Sequence, residues 1–305
     1  KSKICQHGCI NNMDPIRQLG LIGCGLMGGS FALALKRAGL VTKIVGFDAS
    51  AASLDLALSM GVIDGIVTSA AAAAQGSDVI VLAVPVSATE MTLLAILPAL
   101  SPETLVMDVG STKQDVSKVV SRVLGQYNLA ECFVPAHPIC GREVSGVQSS
   151  LADLFEGKKV ILTPSPQEHA SPTAQLARAH ELWQSIGCEV VTMSPQKHDA
   201  TFAAVSHLPH FVAFATMLSL TEQPQGQNYL PFGGTGFRDF TRIAASDPVM
   251  WRDVLFSNKQ EVLLQSRLLR QQLEHMEALV AAGDGPALHD SIYRASAARA
   301  GWLHK

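Results

Sequence analysis

The sequence predicts an α/β protein in which a doubly wound, mostly parallel sheet domain is followed by an all-helical C-terminal domain. Two observations indicate this order. Between Ile16 and about Met193, short segments rich in Val, Ile and Leu alternate with helical stretches, which is typical of parallel strands buried on both faces. After Pro195 the strand signals stop and long helical patterns follow. Repeated β-α-β units with right-handed crossovers account for the first part.

The individual elements of the first part follow from their apolar patterns. Strands are predicted at residues 18–22, 44–47, 79–84, 105–107, 132–135, 160–162 and 189–192. Helices are predicted at residues 26–38, 51–60 and 113–124, and the alanines at residues 70–74 suit a short surface helix. We expect the domains at residues 14–194 and 195–305. Residues 1–13 have the character of a tag or an upstream tail.

Composition and charge exclude several classes of protein. The chain has 305 residues, enough for two domains, and with 48% hydrophobic and 16% charged residues it is globular. A net charge of -3 without a basic stripe argues against nucleic-acid binding. Six scattered cysteines are typical of reduced thiols in the cytoplasm. Cys5 and Cys9 could begin a metal site, but no second ligand pair is near them, so we expect no metal.

Two long helices are predicted in the second part. The first covers residues 196–219 and is interrupted near Pro209. Residues 200–221 carry no charge and could span a membrane, but the histidines among them favour a buried helix. The second covers residues 258–282, and its apolar seam is either an intramolecular core face or a dimer interface. The seam consists of Val262, Leu269, Leu273, Met276 and Val280.

A glycine-rich motif joins the first predicted strand to the first predicted helix. Gly23, Gly25 and Gly28 have the G-x-G-x-x-G spacing of Rossmann dinucleotide-binding domains, inside a β-α-β unit. The first glycine would allow a tight turn, the second would let a pyrophosphate approach the backbone, and the third would let helix and strand pack closely. Further expected cofactor contacts are Leu26, Met27, Val84, Pro85 and Ser111.

Asp48 bears on which dinucleotide is bound. It ends the second predicted strand, twenty residues after Gly28. A carboxylate there can accept hydrogen bonds from ribose hydroxyls and would repel a 2′-phosphate. Ala49 and Ser50 offer no cation for such a phosphate, so the sequence favours NAD over NADP. The alternative is that Asp48 only caps a helix.

Four later segments are dense in polar residues beside Gly or Pro. They are residues 108–113 (Asp-Val-Gly-Ser-Thr-Lys), 136–143 (Ala-His-Pro-Ile-Cys-Gly-Arg-Glu), 206–210 (Ser-His-Leu-Pro-His) and 236–242 (Gly-Phe-Arg-Asp-Phe-Thr-Arg). The first two follow predicted strands and should therefore lie at the carboxyl edge of the sheet, where open α/β domains bind ligands.

Together with the glycine motif, these segments resemble the prephenate and arogenate dehydrogenase family. The resemblance runs from about Leu19 to beyond Trp251, in the order in which the family carries its motifs. Cys140 stands where a small residue such as Ala is common, and Arg142 where Thr is common. The resemblance implies oxidative decarboxylation of a cyclohexadiene ring that carries a carboxylate and a C4 hydroxyl, with NAD as oxidant and no metal. It also implies a homodimer that forms through the helical domain.

The resemblance assigns roles to individual residues. His137 matches the catalytic histidine, since a neutral imidazole is the natural acceptor for the hydroxyl proton. Ser111 matches its partner, and Arg242 matches the arginine that holds a carboxylate. The remaining expected substrate contacts are His207, His210, Glu143, Arg238 and Asp239.

Alternative roles are open for several of these residues. His137 could be a loop histidine that caps a turn, Ser111 a helix N-cap, and Arg242 a surface ion-pair partner. His207 and His210 lie three residues apart and could be taken for metal ligands, although substrate contact or a core position fits better. Trp251 fits a core position as well as the site.

Two other functions compete with the proposed reaction. A β-hydroxyacid dehydrogenase shares the domain order and uses a lysine on the first helical segment, where Lys197 is the candidate. A dinucleotide-sensing module without turnover is the other alternative, although polar clusters at the sheet edge argue against it. The choice between prephenate and arogenate stays open.

Overall fold

The computed structural model describes residues 15–141, 144–164 and 173–302. Within these ranges the chain forms a six-stranded sheet, a three-stranded sheet and, after the last strand, helices only. The prediction of an α/β sheet domain followed by a helical region is confirmed.

The six-stranded sheet is parallel throughout, with the order β3-β2-β1-β4-β5-β6. Chain order reverses between β1 and β4, and such a switch point opens a crevice at the carboxyl ends of the strands. The two-residue β3 is too short to be predicted from sequence. The strands are β1 (Ile16–Ile22), β2 (Val41–Phe47), β3 (Gly65–Ile66), β4 (Val79–Leu82), β5 (Leu105–Asp108) and β6 (Phe133–Val134).

Helices cover both faces of this sheet and bury two apolar clusters against it. In one cluster the rings of Phe31, Phe155 and Trp183 contact each other. The helices are α1 (Leu26–Arg37), α2 (Ala51–Ser59), α3 (Ala70–Ala74), α4 (Thr89–Ile96), α5 (Gln114–Leu124) and α6 (Ala174–Ser185).

The short helix α3 lies at the surface as predicted, with Ala71 exposed, but one face of it is buried. Three of its five alanines, Ala70, Ala73 and Ala74, are buried. A Cβ added at Gly20 of β1 would lie 2.3 Å from the carbonyl oxygen of Ala73. The helix therefore packs with its backbone directly on the strand, and small side chains allow that approach.

The predicted strand at residues 132–135 is divided between two sheets. β6 ends at Val134, and β7 (Ala136–Pro138) pairs antiparallel with β8 (Lys159–Leu162), which pairs parallel with β9 (Glu189–Thr192). Pro135 separates them because it has no N–H for a strand ladder. Its carbonyl instead accepts a hydrogen bond from the amide of Thr163 at 2.9 Å.

The helical region begins with one continuous rod, Pro195–Thr221. It consists of α7 (Pro195–Phe202), a π-helical turn (Ala203–His207) and α8 (Leu208–Thr221). The interruption predicted near Pro209 is this wider turn, which ends two residues before Pro209. The rod is followed by α9 (Gly226–Tyr229), α10 (Thr235–Thr241), α11 (Pro248–Ser257), α12 (Lys259–Ala282) and α13 (Gly285–Gly301).

The rod is long and apolar enough to cross a membrane by length and composition. In this fold its first half packs against the sheet domain through buried polar groups, described below. The prediction of a buried helix is wrong for the second half, because Ala213 is the one residue of α8 that is fully buried in the single chain.

The apolar seam predicted on α12 also divides. Val262 is buried and serves the intramolecular core. Leu273, Met276 and Val280 are exposed, at 51%, 38% and 64% of their full surface. The seam is therefore an intramolecular core face only at the start of the helix. In the single chain, most of its residues face solvent.

Candidate active site

The turn between β1 and α1 has the geometry that the glycine motif predicts. Gly23 has a φ of +96°, and a Cβ added there would lie 2.3 Å from the carbonyl oxygen of Ala83. A Cβ at Gly28 would lie 2.3 Å from the carbonyl oxygen of Gly23, so helix and strand touch through backbone. A Cβ at Gly25 would meet no atom within 4 Å, which leaves open space above the loop. Glycine is thus required at two positions, and the third is accessible to a ligand.

The N-terminus of α1 suits a phosphate group. Its N-cap, Gly25, makes no side-chain capping bond, and the first turn contains no acidic residue. Backbone N–H groups at such a helix start, together with the helix dipole, favour an anion. Leu26 is buried and Met27 is half-buried in the first turn. The residues at this turn therefore fit the pyrophosphate of a dinucleotide.

The segment after β4 lies at the same edge, between the glycine loop and β5. The strand ends at Leu82, two residues earlier than predicted, because the chain turns at Ala83 against Gly23. Val84 is half-buried and Pro85 is exposed there. This loop also reaches the helical region, since the hydroxyl of Ser87 donates to Asp253 Oδ2 of α11 at 2.7 Å.

Asp48 is held against the glycine loop. Its Oδ2 accepts a hydrogen bond from the amide of Cys24 at 2.8 Å, and its Oδ1 accepts one from the amide of Ser50 at 2.8 Å. The N-cap of α2 is Ser50, whose hydroxyl accepts from the amide of Ser53. The alternative that Asp48 caps a helix is therefore wrong, and its carboxylate stands at the rim of the loop.

A buried ion pair organises the segment after β5. Lys113 Nζ donates to Asp108 Oδ2 at 2.5 Å, and both side chains are almost completely buried. The carboxylate also accepts from the amides of Gly110, at 3.0 Å, and Ala136, at 3.1 Å. Asp108 therefore ties the loop that carries Ser111 to the first residue of β7.

Ser111 is half-buried within this loop. Helix α5 begins at Gln114, and its N-cap, Lys113, makes no side-chain capping bond. The alternative that Ser111 is the helix N-cap is therefore wrong. Its side chain is not committed to the helix start.

His137 is buried in the middle of β7, so the alternative of a turn-capping loop histidine is wrong. Its Nδ1 lies 2.8 Å from Nε2 of His198 on α7, and its ring contacts Phe202. Burial lowers the pKa of His137 well below its usual value, and the nearby His198, Lys113 and His207 lower it further. The imidazole is thus neutral at physiological pH and able to accept a proton.

His198 and Asp199 form part of this site, and the sequence reasoning missed them. Both are fully buried. His198 Nδ1 lies 2.7 Å from Asp199 Oδ1, and the carboxylate accepts from the amides of Lys113 at 2.8 Å and Gln114 at 2.9 Å. The sequence did contain a signal: His198 and Asp199 are two adjacent ionisable residues directly before the charge-free stretch at residues 200–221.

The position of Lys197 bears on the alternative of a β-hydroxyacid dehydrogenase. Lys197 is exposed on α7, and its neighbour His198 takes the inward position. The lysine is therefore poorly placed for acid–base chemistry in the buried cluster.

His207 completes the buried cluster at the end of the π-helical turn. Its Nδ1 lies 3.1 Å from Nδ2 of Asn258, which also donates to the Asp199 carbonyl at 2.8 Å. The pKa of His207 is lowered to about 4, chiefly by burial, against the opposing effect of the nearby Asp199. The backbone of Ser111 also lies within reach of the His207 ring, and this hydrogen bond acts to raise the pKa of His207. Asn258 is a second residue that sequence reasoning missed.

His210 points to a different neighbour. Its ring stacks on the buried Trp251 at 3.6 Å between centroids, and its Nδ1 lies 2.9 Å from the carbonyl oxygen of Ser206. His207 and His210 thus have separate partners. In the described part of the chain, no group of three or more His, Cys, Asp or Glu side chains is arranged to hold a metal ion.

The predicted carboxylate-binding residues lie outside the buried cluster. Arg238 and Asp239 are exposed on α10, and Arg242 is exposed at the start of the 3-10 turn Arg242–Ala245. Both elements pack against α8, the helix that carries His210. Glu143, expected to contact substrate, and Arg142 lie outside the described residues.

Fold and site define a class: a Rossmann-fold dehydrogenase with a helical second region and a buried, uncharged histidine. Family models narrow this class. Residues 31–192 match the model described as the nucleotide-binding domain of prephenate dehydrogenase, and residues 194–293 match its dimerization domain. The chain belongs to the prephenate dehydrogenase family.

Individual relatives agree with the family models. The chain is 37% identical to the prephenate dehydrogenase of Bacillus subtilis over 80% of its length, although it spans only 64% of that relative. It is 30% identical to the cyclohexadienyl dehydrogenase of Zymomonas mobilis, covering 94% of this chain and 96% of that one. A crystal structure of Aquifex aeolicus prephenate dehydrogenase with hydroxyphenyl propionate and NAD+ has 36% identity and a TM-score of 0.85, covering 94% of this chain and 98% of that one.

Proposed function

We propose that this chain catalyses the NAD-dependent oxidative decarboxylation of prephenate to 4-hydroxyphenylpyruvate, of arogenate to tyrosine, or of both, in tyrosine biosynthesis. One observation carries the proposal: His137 is buried on β7, which contacts β5, and β5 is the second strand from β1 and its glycine loop. Burial also lowers the pKa of this histidine. The relatives named above support the substrate class, since one is a prephenate and one a cyclohexadienyl dehydrogenase.

NAD is the cofactor that the residues at the switch point fit. Gly23, Gly25 and Gly28 with the start of α1 would hold the pyrophosphate, and Asp48 would accept the ribose hydroxyls. Further contacts are proposed for Leu26, Met27, Val84, Pro85 and Ser111. When bound, NAD supplies a nicotinamide ring that accepts hydride. The Aquifex relative was crystallised with NAD+.

The chemistry that remains for the protein begins at the C4 hydroxyl of the substrate. Nε2 of His137 accepts the hydroxyl proton as C4 loses its hydride and becomes a carbonyl carbon. Ser111 helps to place the hydroxyl and the imidazole. The bond between C1 and the carboxylate then breaks, CO2 departs, and the electron pair enters the ring. The former carbonyl oxygen takes up a proton, and the ring becomes an aromatic phenol.

A carboxylate on the substrate needs a fixed cation. Arg242 is proposed for this role because a guanidinium pairs with a carboxylate through two parallel hydrogen bonds. Arg238, Asp239, His207 and His210 are proposed to shape the pocket. Glu143 is proposed to orient the substrate.

The assembly is proposed to be a homodimer in the cytoplasm, formed through residues 195–305, which also bind substrate, while residues 14–194 bind the cofactor. The family model that matches residues 194–293 is described as a dimerization domain. Large apolar side chains exposed on one chain support the proposal, because such side chains are often covered at an interface. They include Phe232, Phe256, Leu273 and Val280.

Absorbance of NADH tests the function directly. The purified chain is incubated with NAD and, side by side, with prephenate, arogenate and a β-hydroxyacid such as 3-hydroxyisobutyrate. NADH formation with either cyclohexadiene, together with release of CO2, supports the proposal, and the ratio of the two kcat/KM values gives the preference. Turnover of the β-hydroxyacid alone, or NAD binding without turnover of any substrate, contradicts it.

A further inference from the structure

A chain of hydrogen bonds runs from His137 away from the sheet edge and into the helical region. It passes from His137 Nδ1 to His198 Nε2 at 2.8 Å, and from His198 Nδ1 to Asp199 Oδ1 at 2.7 Å. It ends at Asp199, whose carboxylate accepts hydrogen bonds from the backbone amides of Lys113 and Gln114. Each member is buried, so water does not compete for these bonds.

Asp199, the last residue in this series of hydrogen bonds, determines which atom donates in each bond. Burial by itself would raise the pKa of Asp199, but the hydrogen bonds from His198, Gln114 and Lys113 outweigh it and lower the pKa. The carboxylate is therefore ionised and can only accept hydrogen bonds. It also lies at the N-terminus of the eleven-residue helix α5, where the helix dipole favours negative charge.

The direction of each hydrogen bond fixes the direction of the next one. Because Asp199 only accepts, His198 Nδ1 must carry a hydrogen. A neutral His198 then has a bare Nε2, and the pKa of His198 is indeed lowered, chiefly by burial. His137 must therefore donate from Nδ1, which leaves its Nε2 without a hydrogen.

Other charges around His137 do not disturb this order. Lys113 is paired with Asp108 at 2.5 Å. His207 accepts from Asn258 at Nδ1, and the same Asn258 amide donates to the Asp199 carbonyl. These neighbours hold the three residues in place, but they do not donate to or accept from the ring nitrogens of His137 and His198.

We propose that His198 and Asp199 are positioning residues for the proposed reaction: together they keep His137 in the tautomer whose Nε2 can accept the substrate hydroxyl proton. When His137 becomes positively charged, the ionised Asp199 at the end of the chain offsets that charge. The inference rests on the proposed function for its kinetic part, but the tautomer itself exists without any substrate.

Asp199→Asn is the principal test. An asparagine whose Nδ2 takes the place of Oδ1 donates to His198 Nδ1, which reverses both hydrogen bonds and places the hydrogen of His137 on Nε2. It also loses the hydrogen bond from the Lys113 amide, which Oδ1 accepts in wild type. We expect kcat to fall by about 10²–10⁴ with little change in KM or in NAD affinity, as expected for a base in the wrong tautomer. Asp55→Asn, on the exposed face of α2, is the matched control and should keep the wild-type kcat.

Nitrogen-15 NMR of the imidazoles supplies a readout that a purely structural role would not move. Wild type should show the hydrogen of His137 on Nδ1, and Asp199→Asn should show it on Nε2. If wild type has this tautomer but turns over neither prephenate nor arogenate, the proposed function fails and the positioning role stands. A His137 hydrogen on Nε2 in wild type overturns the positioning role whatever the activity.

Replacements of His198 keep the test decisive if Asp199→Asn does not fold. A glutamine can accept from His137 Nδ1 through its carbonyl oxygen, so His198→Gln should retain kcat to within about tenfold and retain the tautomer. His198→Leu offers no acceptor and should lose about 10²-fold or more. Equal kcat for the two variants, at equal thermal stability, would overturn the proposal.

Discussion

The sheet domain and the helical region bury their apolar residues to very different degrees. Every residue of β4 and β5 is buried, whereas the 24-residue α12 buries only Val262. Within the described ranges, the buried hydrophobic residues beyond Pro195 are Phe202, Ala203, Ala213, Trp251, Val254 and Val262. Phe232 and Phe256 remain 87% and 70% exposed.

This difference separates a unit that completes its own core from one that does not. Two apolar clusters on the faces of the sheet account for the first unit. Burial of apolar surface is the main favourable term in folding, so a helical region with so few buried residues gains little from its own packing. The proposed second copy of the chain would supply the missing contacts.

The largest expected effect is on the chemistry buried in the sheet domain. His137→Asn removes the proposed base, and kcat should fall by about 10²–10⁴ while KM changes little. Steady-state kinetics with prephenate and NAD measure it, and NAD affinity should be unchanged. A kcat close to wild type would remove His137 from the mechanism.

The exposed seam of α12 is tested with a charge. Leu273→Glu places a carboxylate on the face that is proposed to be covered, and the dimer association constant should fall by about 10²-fold or more. Sedimentation velocity at several concentrations measures it. Leu58→Glu, at a comparably exposed leucine of α2 in the sheet domain, is the control and should leave the assembly unchanged. Two variants with the same sedimentation behaviour would refute the proposed interface.

A smaller effect is expected at the exposed arginine of the helical region. Arg242→Gln removes one charged partner of the substrate carboxylate, worth about 1.5–3 kcal/mol, so KM should rise by about 10- to 100-fold. The expected change in kcat is minor. An unchanged KM for prephenate would show that this arginine does not hold the carboxylate.

Stability should depend on pH through the buried histidines. The pKa values of His137, His198 and His207 are lowered in the fold, so the unfolded chain binds protons more readily. Stability is therefore full above about pH 6.5, the unfolded pKa, and is lost as the pH falls below it. Urea unfolding from pH 7.5 to 5.5 should show this loss, and His207 alone accounts for about 1 kcal/mol of it at pH 5.5.

His207→Gln should reduce that loss, because glutamine does not titrate. His289→Gln, on the exposed α13, is the matched control and should keep the wild-type pH dependence. A free energy of unfolding that is flat over this interval would contradict the lowered pKa values.

The glycine loop could be predicted from sequence because its requirements are local. A positive φ at Gly23 and a backbone contact at Gly28 exclude every side chain, so the spacing itself records the geometry. The strands β1, β4 and β5 could be predicted equally well, since each contains a run of apolar residues bounded by turns. Their fold follows from rules that need no knowledge of distant contacts.

The parts that were missed depend on contacts between distant segments. His198 and Asp199 acquire their roles only because α7 packs on the start of α5, 85 residues earlier in the chain for the bond from Gln114. The predicted strand at residues 132–135 failed because Pro135 sends the chain into a second sheet whose partners lie at residues 159–192. Neither pattern of pairing is visible in the local sequence.

The π-helical turn Ala203–His207 has a consequence for how the rod can vary. It lies between the helix that carries His198 and the residues that meet Asn258 and Trp251. A π-helical turn holds one more residue than an α-helical turn, and each residue of a helix advances by about 100°. Deleting the exposed Val205 would therefore convert this turn into an α-helical one and leave the residues downstream in phase. A one-residue deletion inside the regular helix α8 would instead rotate everything beyond it by about 100°.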